Sequence, residues 1–321
     1  MYKIKQIPED FIVKEISNIK IQTNGQYAYY TLKKANYSTV HALEILSKKF
    51  KIPLKNFGFA GNKDKNAVTE QQISIFRGSK EFENLKLNNI ELRYLGNNSE
   101  PISLGDLEGN EFTITIRNLE NNEVEKIKSF ENKKIKIPNL YGPQRFSKNN
   151  HLVGKAIIKR DFKKAVELVL ENKGFIENYI KEFLKQNKNN YVEALRQIPL
   201  KTRKLFVHSY QSFLFNKIIQ EYLKNDKKST NLKIPIIGFN FELKTIKNKS
   251  LKNIIHQILE EEKITSRDFI TNQMPELASE GGFRDLFFEL RNSKILDITD
   301  DELSKVKKKI KINFVLPKSC Y

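Results

Sequence analysis

The sequence reads Phe57-Gly-Phe-Ala-Gly-Asn-Lys-Asp64-Lys-Asn-Ala-Val-Thr-Glu-Gln-Gln72 between two apolar runs. A single acid, Asp64, lies between two lysines in a short loop bounded by a glycine. Because neighbouring cations favour the charged form of a carboxylic acid, we expect Asp64 to be ionised. An ionised carboxylate at a loop tip can act as a nucleophile, although the same composition is also typical of a plain turn between two strands.

The composition of the 321-residue chain is that of a globular protein, with 39% hydrophobic and 30% charged residues. It contains no run of about 18 apolar residues, so we expect no transmembrane helix and no membrane partner. The first residues lack the apolar region of a signal peptide. The one cysteine, Cys320, fits a reducing compartment, so we expect the protein to be cytoplasmic.

The net charge of +19 indicates a polyanionic partner such as nucleic acid. An alternative is that the 47 lysines reflect genome bias or thermal adaptation, because only 10 of the cations are arginines. Three of these arginines, Arg117, Arg145 and Arg284, fall inside or beside the motifs described below. Their positions indicate planar, bidentate contacts that lysine could not replace.

The hydrophobic pattern predicts strands in the first 35 residues, a helix over 38–50, and strands on both sides of the Asp64 loop. Alternation predicts a further half-buried strand over 112–117. After about residue 150 the pattern becomes helical, and strand character returns at 283–290 and 310–316. The sequence therefore predicts a mainly helical block inserted into a mixed sheet domain.

The stretch around Asp64 resembles the signature of the TruD family of tRNA pseudouridine synthases, in which a G-x-K-D-x-x-A-V-T-x-Q run carries the catalytic aspartate. Five other stretches resemble motifs of the same family, and they occur in the same order along the chain. They are Lys5–Glu15, Gly109–Arg117, Pro138–Phe146, Tyr210–Asn216 and Phe314–Lys318. The chain is identified by this set as a member of the family, similar to its archaeal members.

The resemblance implies an α+β fold. It consists of a pseudouridine-synthase catalytic domain, with a mixed, mainly antiparallel sheet flanked by helices, and a mainly helical α/β insertion domain. We expect the catalytic domain to comprise residues 1–152 and 283–321, and the insertion domain residues 153–282. The last residues, Leu316–Tyr321, resemble only the start of the family's closing segment. We therefore expect either an early natural end or a shortened sequence.

The resemblance also implies an isomerase that converts uridine to pseudouridine, at position 13 of tRNA, without a cofactor and as a monomer. Asp64 corresponds to the family's catalytic aspartate. Whether this carboxylate attacks the base, attacks the sugar or removes a ribose proton is left open. Lys5 corresponds to the family's basic partner of that carboxylate, although by composition alone it is one exposed lysine among many.

Six residues are expected at the substrate by the same resemblance: Asn110, Phe112, Asn139, Gln144, Arg145 and Phe146. Phe112 would stack on a flipped uracil, and its alternative is an ordinary core position. Asn110 would read the polar edge of the base or brace the loop. The other four lie in a turn rich in glycine and proline, whose polar groups could simply satisfy their own backbone. We assign no chemistry to Gln211, Ser212 and Asn216.

Other classes of site are not indicated. The four histidines are widely spaced and no cysteine pair accompanies them, so we expect no metal site. No GxGxxG, GxxxxGK[ST] or GxSxG run is present. Two rival functions remain: a catalytically inactive RNA-binding protein or RNA chaperone, and a pseudouridine synthase acting on a pre-tRNA or small RNA.

Overall fold

The computed structural model describes residues 1–131, 133, 135–172, 175–225 and 232–318. The chain forms two compact units, the first comprising residues 1–136 and 289–321 and the second residues 137–288. The insertion domain predicted at 153–282 falls within the range of the second unit, and its assignment as the family's insertion stays a prediction. The expectations for Ser319, Cys320 and Tyr321 lie outside the described residues.

The strands, numbered along the chain, are β1 (Phe11–Ile16), β2 (Tyr27–Ala35), β3 (Phe57–Phe59), β4 (Val68–Phe76), β5 (Ile90–Asn98), β6 (Gly109–Leu119), β7 (Lys136–Pro138), β8 (Lys233–Ile236), β9 (Gly282–Asp285), β10 (Phe287–Glu289), β11 (Arg291–Asp300) and β12 (Lys308–Pro317). The helices are α1 (Thr39–Phe50), α2 (Asn121–Lys128), α3 (Pro143–Phe146), α4 (Asn150–Ile158), α5 (Phe162–Leu170), α6 (Phe175–Gln186), α7 (Tyr191–Arg196), α8 (Leu200–Asn225) and α9 (Lys249–Glu262). None of the helices in the described ranges is long and apolar enough to cross a bilayer.

The first unit is built on one sheet with the strand order β11-β12-β6-β1-β4-β2-β5, and β3 pairs with β4. Strands β1 and β4 are parallel, whereas the other pairs in this sheet are antiparallel. A parallel pair needs a long connection between its strands, and here β2, α1 and β3 supply it. The mixed, mainly antiparallel sheet with flanking helices confirms the predicted fold class.

Two helices cover opposite ends of one face of this sheet. Helix α1 packs Leu43 and Leu46 against β2 and β4, whereas α2 packs Val124 against Ile310 of β12. The strand register places Ile310 on the same face as Phe112, at the middle of the sheet. The part of this face between the two helices therefore remains available for a site.

Arg117 at the end of β6 joins three parts of the first unit. Its Nε donates to both carboxylate oxygens of Asp10, at 2.8 and 2.9 Å, and one terminal nitrogen donates to Asp301 at 2.8 Å. All three side chains are buried. The guanidinium thus bonds through two of its nitrogens to acids of the chain itself, and Glu302 lies 3.0 Å from the same terminal nitrogen that binds Asp301. No single acid is bound by both nitrogens among these contacts, so the predicted bidentate geometry is not what these bonds form. Its guanidinium also helps to lower the pKa of Asp301 by hydrogen bonding, against the effect of burial.

Replacing Arg117 with methionine should lower the free energy of unfolding by about 3–5 kcal/mol, because it leaves two buried carboxylates without a cation. Urea unfolding at pH 7 measures the change. Arg93→Met is the control, since Arg93 is an exposed arginine of the same sheet, and it should change stability by less than about 0.5 kcal/mol. An equal effect of the two substitutions would contradict the structural role of Arg117.

The second unit is mainly helical, and its core surrounds α8. Residues of α4, α5, α7 and α9 pack together with the buried face of this 26-residue helix, which includes Tyr210, Leu214 and Ile218. Strands β8 and β9 form a small antiparallel pair. The predicted strand at 283–290 is divided, because Leu286 separates β9 from β10.

Candidate active site

Asp64 lies in the loop between β3 and β4, and its carboxylate is paired with Lys5. The Lys5 Nζ and the Asp64 Oδ2 are 2.5 Å apart, and the two side chains are 31% and 37% exposed. The predicted partnership of the two residues is therefore present in the geometry. The pair is half-buried, so the attraction between the charges is stronger than it would be in bulk water.

The segment that carries Lys5 is held by the end of β6. The backbone of Lys3 makes two hydrogen bonds with that of Arg117, at 2.8 and 2.9 Å. The Asp10 carboxylate, which Arg117 binds, also accepts hydrogen bonds from the backbone N–H groups of Gln6 and Ile7. Lys5 has a positive φ of 56°, a conformation that costs energy for a side chain with a Cβ and persists only where its surroundings impose it.

Hydrogen bonds from three neighbouring elements fix the loop around Asp64. Thr39 Oγ1, at the start of α1, accepts a bond from the Lys63 N–H at 2.8 Å. The Gln71 side chain on β4 donates to the carbonyl of Gly61 at 3.0 Å. The Lys34 Nζ on β2 donates to the carbonyl of Asp64 itself at 3.0 Å. The position of the carboxylate is therefore set by the sheet and by α1.

Lys34 is a buried cation whose hydrogen-bond partners, among the described residues, are backbone carbonyl groups. Its side chain is 1% exposed, and its Nζ donates to the carbonyls of Tyr37, at 2.6 Å, and of Asp64. Burial lowers the pKa of Lys34 from 10.5 to about 8, the Asp64 charge opposes this shift and the Lys63 charge adds to it. The sequence motifs did not indicate Lys34 as a site residue. The signal that could have done so is its position in β2, where it continues the inward-facing alternation of Tyr30 and Leu32.

Lys63 is turned away from the carboxylate that follows it in the sequence. Its Nζ lies 2.5 Å from the Glu15 carboxylate, and both side chains are buried. Glu15 also accepts a hydrogen bond from the backbone N–H of Gln72 at 3.1 Å. Lys63 is next to Asp64 in the sequence, but its charge is balanced by Glu15. The cation in contact with the Asp64 carboxylate is Lys5.

Three phenylalanines form a row beside the ion pair. The Phe112 ring is stacked on Phe314, with centroids 5.5 Å apart, and meets Phe11 edge to face at 5.9 Å. The Lys5 ammonium lies 3.8 Å from the centroid of Phe11. Phe112 is 7% exposed, whereas its two neighbours are partly exposed. We call Phe11, Phe112 and Phe314 the aromatic row; the sequence analysis had singled out only its middle member.

Asn110 occupies the same sheet face, two residues before Phe112. It lies between Glu15 of β1 and Leu316 of β12 in the strand register. The side chain is fully buried, and neither amide atom has a hydrogen-bond partner within the described part of the chain. A buried amide without partners costs about 1–3 kcal/mol, so this position calls for a functional explanation.

The four other predicted residues belong to the second unit. The Asn139 side chain donates to the carbonyl of Asp285 at 3.1 Å and accepts a bond from Arg284 at 2.6 Å. The Nε of Arg145 donates to Ser212 Oγ at 3.1 Å. Phe146 contacts the His151 ring edge to face at 5.6 Å, and Gln144 is exposed.

Helix α8 holds the turn that carries these four residues. Asn216 bonds both the N–H and the carbonyl of Tyr141, each at 2.9 Å, and Ser209 donates to the carbonyl of Arg145 at 2.8 Å. Gln211 instead donates to the carbonyls of Ile237 and Glu280. The structure thus gathers Lys5, Asp64, Asn110 and Phe112 in the first unit, and the turn residues in the second.

The lowered pKa of Lys34 predicts a specific pH dependence of stability. Between pH 8 and 10.5 the folded protein has lost the Lys34 proton and the unfolded chain still binds it, so stability rises with pH in that window. The unfolding free energy of the protein, relative to that of Lys34→Met, should therefore rise by up to about 3 kcal/mol. Urea unfolding at pH 7.5 to 10.5 measures this difference. A constant or falling difference would show that the Lys34 amine stays charged.

The comparisons with known proteins identify the family of the chain. The chain belongs to the TruD family, because the family model described as tRNA pseudouridine synthase D (TruD) matches residues 2–181, 172–233 and 223–321. The resemblance stated from the sequence motifs is confirmed.

Two curated relatives and one solved structure illustrate the match. "Probable tRNA pseudouridine synthase D 2" of Methanocaldococcus jannaschii is 32% identical, with 99% of this chain and 89% of the relative covered. The tRNA pseudouridine synthase D of Aquifex aeolicus is 27% identical, with 99% and 95% covered. A crystal structure of TruD from Methanosarcina mazei superposes with a TM-score of 0.80 at 28% identity, covering 99% of this chain and 91% of that chain.

Proposed function

We propose that this protein is a tRNA pseudouridine synthase, an isomerase that detaches the uracil of a uridine and rejoins it to the ribose through carbon 5. The observation that carries the proposal is the Lys5–Asp64 pair beside the aromatic row, in a chain that matches the TruD family over its whole length. The reaction is redox-neutral and releases no fragment, so a positioned carboxylate and a pocket for one base supply what it needs.

Asp64 is the catalytic residue in this proposal. Lys5 is paired with its carboxylate at 2.5 Å and supplies a positive charge beside it. The hydrogen bonds that fix the loop hold the carboxylate in place, so that little reorganisation is needed when the substrate arrives. An ionised, positioned carboxylate is suited equally to attack on the base, to attack on the sugar and to removal of a ribose proton.

Phe112 and Asn110 form the base-binding part of the proposed site. The uracil must leave the stack of neighbouring bases before the enzyme can reach it, which costs free energy. Stacking of the base on an aromatic ring offsets this cost by about 1–3 kcal/mol. The unpaired amide of Asn110 offers a donor and an acceptor for the polar edge of uracil. Asn139, Gln144, Arg145 and Phe146 are proposed to contact the RNA outside the reacting base.

The substrate is proposed to be uridine 13 of tRNA, and the protein to act as a monomer in the cytoplasm. Residues 153–282 are proposed to be the insertion domain of the family. The net charge of +19 fits a polyanionic substrate. An inactive RNA-binding protein is the rival reading, and the ordered Lys5–Asp64 pair argues against it, since binding of a polyanion does not require a carboxylate. A pre-tRNA or small RNA remains the alternative substrate.

Replacing Asp64 with asparagine should lower pseudouridine formation by about 10³-fold or more, because the amide cannot act as a nucleophile or a base. The affinity for RNA should stay within about three-fold of that of the parent protein, since the two side chains are nearly isosteric. The measurements are pseudouridine mapping on a tRNA transcript and a filter-binding titration. Asp297→Asn, an exposed carboxylate of the same sheet, is the control and should keep full activity. Appreciable turnover by the Asp64 variant would rule out its catalytic role.

Replacing Phe112 with leucine tests the stacking role separately from packing. Leucine keeps an apolar side chain, so stability should fall by less than about 1.5 kcal/mol, whereas loss of stacking should lower kcat/KM by about 5- to 100-fold. Phe82→Leu is the matched control, because Phe82 is a partly buried ring that stacks on Phe50 at 3.8 Å and packs against the core covered by α1. If the Phe112 variant were as active as the Phe82 variant, Phe112 would be a core residue only.

A further inference from the structure

Two arginines of the second unit share one tyrosine ring. The guanidinium carbon of Arg284 lies 4.2 Å from the centroid of Tyr141, and that of Arg145 lies 5.6 Å from the same centroid. Arg284 is also 5.8 Å from the ring of Phe215, which Tyr141 meets edge to face. We call Arg145 and Arg284 the arginine pair. Stacking on a ring orients a guanidinium and leaves its N–H groups pointing outward, in the plane of the fork.

The hydrogen bonds of the arginine pair use few of its donors. Arg284 donates from one terminal nitrogen to Asn139, and Arg145 donates from Nε to Ser212. Over the described ranges of the chain, the other terminal nitrogen of Arg284 and both terminal nitrogens of Arg145 have no protein partner. The Nε of Arg284 is buried and unpartnered as well. Each guanidinium is thus positioned by the protein through one bond and keeps free donors.

The charges of the pair are not balanced by acids. Two other arginines of the described chain are buried, and both have acidic partners. Arg117 is paired with Asp10 and Asp301, and Arg203 is paired with Glu276. No ion pair to Arg145 or Arg284 is present within the part of the chain that the structure describes. Instead, burial lowers the pKa of Arg145, the Tyr141 charge opposes this and the Arg284 charge lowers it further.

The neighbouring histidine His208 is affected by the same positive charges. The pKa of His208 on α8 is lowered by burial first and then by the charges of Arg145 and Lys204. His208 is therefore neutral near pH 7 and does not add to the charge. Two like charges held over one ring without a counter-ion are unfavourable in the free protein, so their arrangement needs a reason other than stability.

We propose that Arg145 and Arg284 together bind one backbone phosphate of the RNA substrate. The inference deepens the proposed function and rests on it for the identity of the anion as RNA. A phosphodiester presents two anionic oxygens, which match two guanidinium forks. Arg145 belongs to the turn that the sequence motifs indicated, whereas the partnership with Arg284, and the contact of both guanidinium groups with the Tyr141 ring, come from the structure alone.

The test compares the salt dependence of RNA binding among four full-length variants in the Asp64→Asn background, which leaves the RNA unmodified. They are Arg284→Gln, Arg145→Gln, Arg284→Lys and Arg267→Gln. Binding of an unmodified tRNA transcript is titrated at several salt concentrations. Each glutamine variant of the pair should weaken binding about ten-fold or more. It should also reduce the slope of log K against log salt by up to about 0.7 to 0.9, the value of one lost phosphate contact, because the remaining guanidinium neutralises the shared phosphate only in part.

The remaining two variants are controls. Arg284→Lys keeps the charge and loses the fork, so it should restore the slope but not the full affinity. Arg267 is an exposed arginine of the same unit, and its glutamine variant should retain both affinity and slope. The pair would be only a packing feature if Arg284→Gln and Arg145→Gln lowered the thermal midpoint and left the salt slope unchanged. If one variant failed to fold, the other would decide.

The outcome separates the two proposals. If the parent protein forms pseudouridine and the pair variants keep its salt slope, the phosphate site is wrong and the proposed function stands. If the parent forms no pseudouridine and the pair variants still show the expected reduction in salt slope, the phosphate site stands and the enzyme assignment fails.

Discussion

The site depends on one contact, the 2.5 Å ion pair between Lys5 and Asp64. Both partners come from irregular segments, and a half-exposed ion pair contributes at most about 1 kcal/mol. The pair therefore cannot hold its own geometry. That geometry is imposed from both sides: Arg117 and Asp10 fix the segment of Lys5, while Lys34 fixes the backbone of Asp64. Buried polar groups that lie outside the site thus determine where the two charges meet.

The cations around Asp64 have different roles, which their spacing in the sequence does not show. Lys63 is neutralised by Glu15. Lys34 binds the backbone carbonyl, and burial brings its pKa to about 8, so it is partly neutral in mildly basic solution. Among the described residues, Lys5 is the cation that contacts the carboxylate, through Oδ2. The carboxylate is therefore paired with one cation and is not surrounded by several.

Local patterns in the sequence predicted what local physics controls. The hydrophobic pattern predicted β1 to β4, β6 and β12, the helical stripe predicted α1 within one residue of its start, and the Asp64 motif located the candidate site. Strands β5 and β11 were not predicted. The partners of the key side chains could not be found in this way. Arg117 binds acids that are 107 and 184 residues away, and Asn139 meets Arg284 across 145 residues. Such pairs are created by the fold, and no periodicity of 2 or 3.6 residues encodes them.

Compensated and uncompensated charges are distributed differently in the two candidate regions. In the first unit the buried cations near Asp64 have a carboxylate or carbonyl partner, as a preorganised catalytic group requires. In the second unit no acid pairs with the arginine pair among the described residues, and the two guanidinium groups keep donors without a partner, an arrangement that a bound anion would stabilise. A charge arrangement that is costly in the free protein and relieved by a ligand contributes to binding and not to folding. An enzyme that acts on a polyanion needs both arrangements. Unpaired cations can bind the phosphates of the substrate, whereas a carboxylate such as Asp64 needs a cation beside it if it is to take part in the reaction.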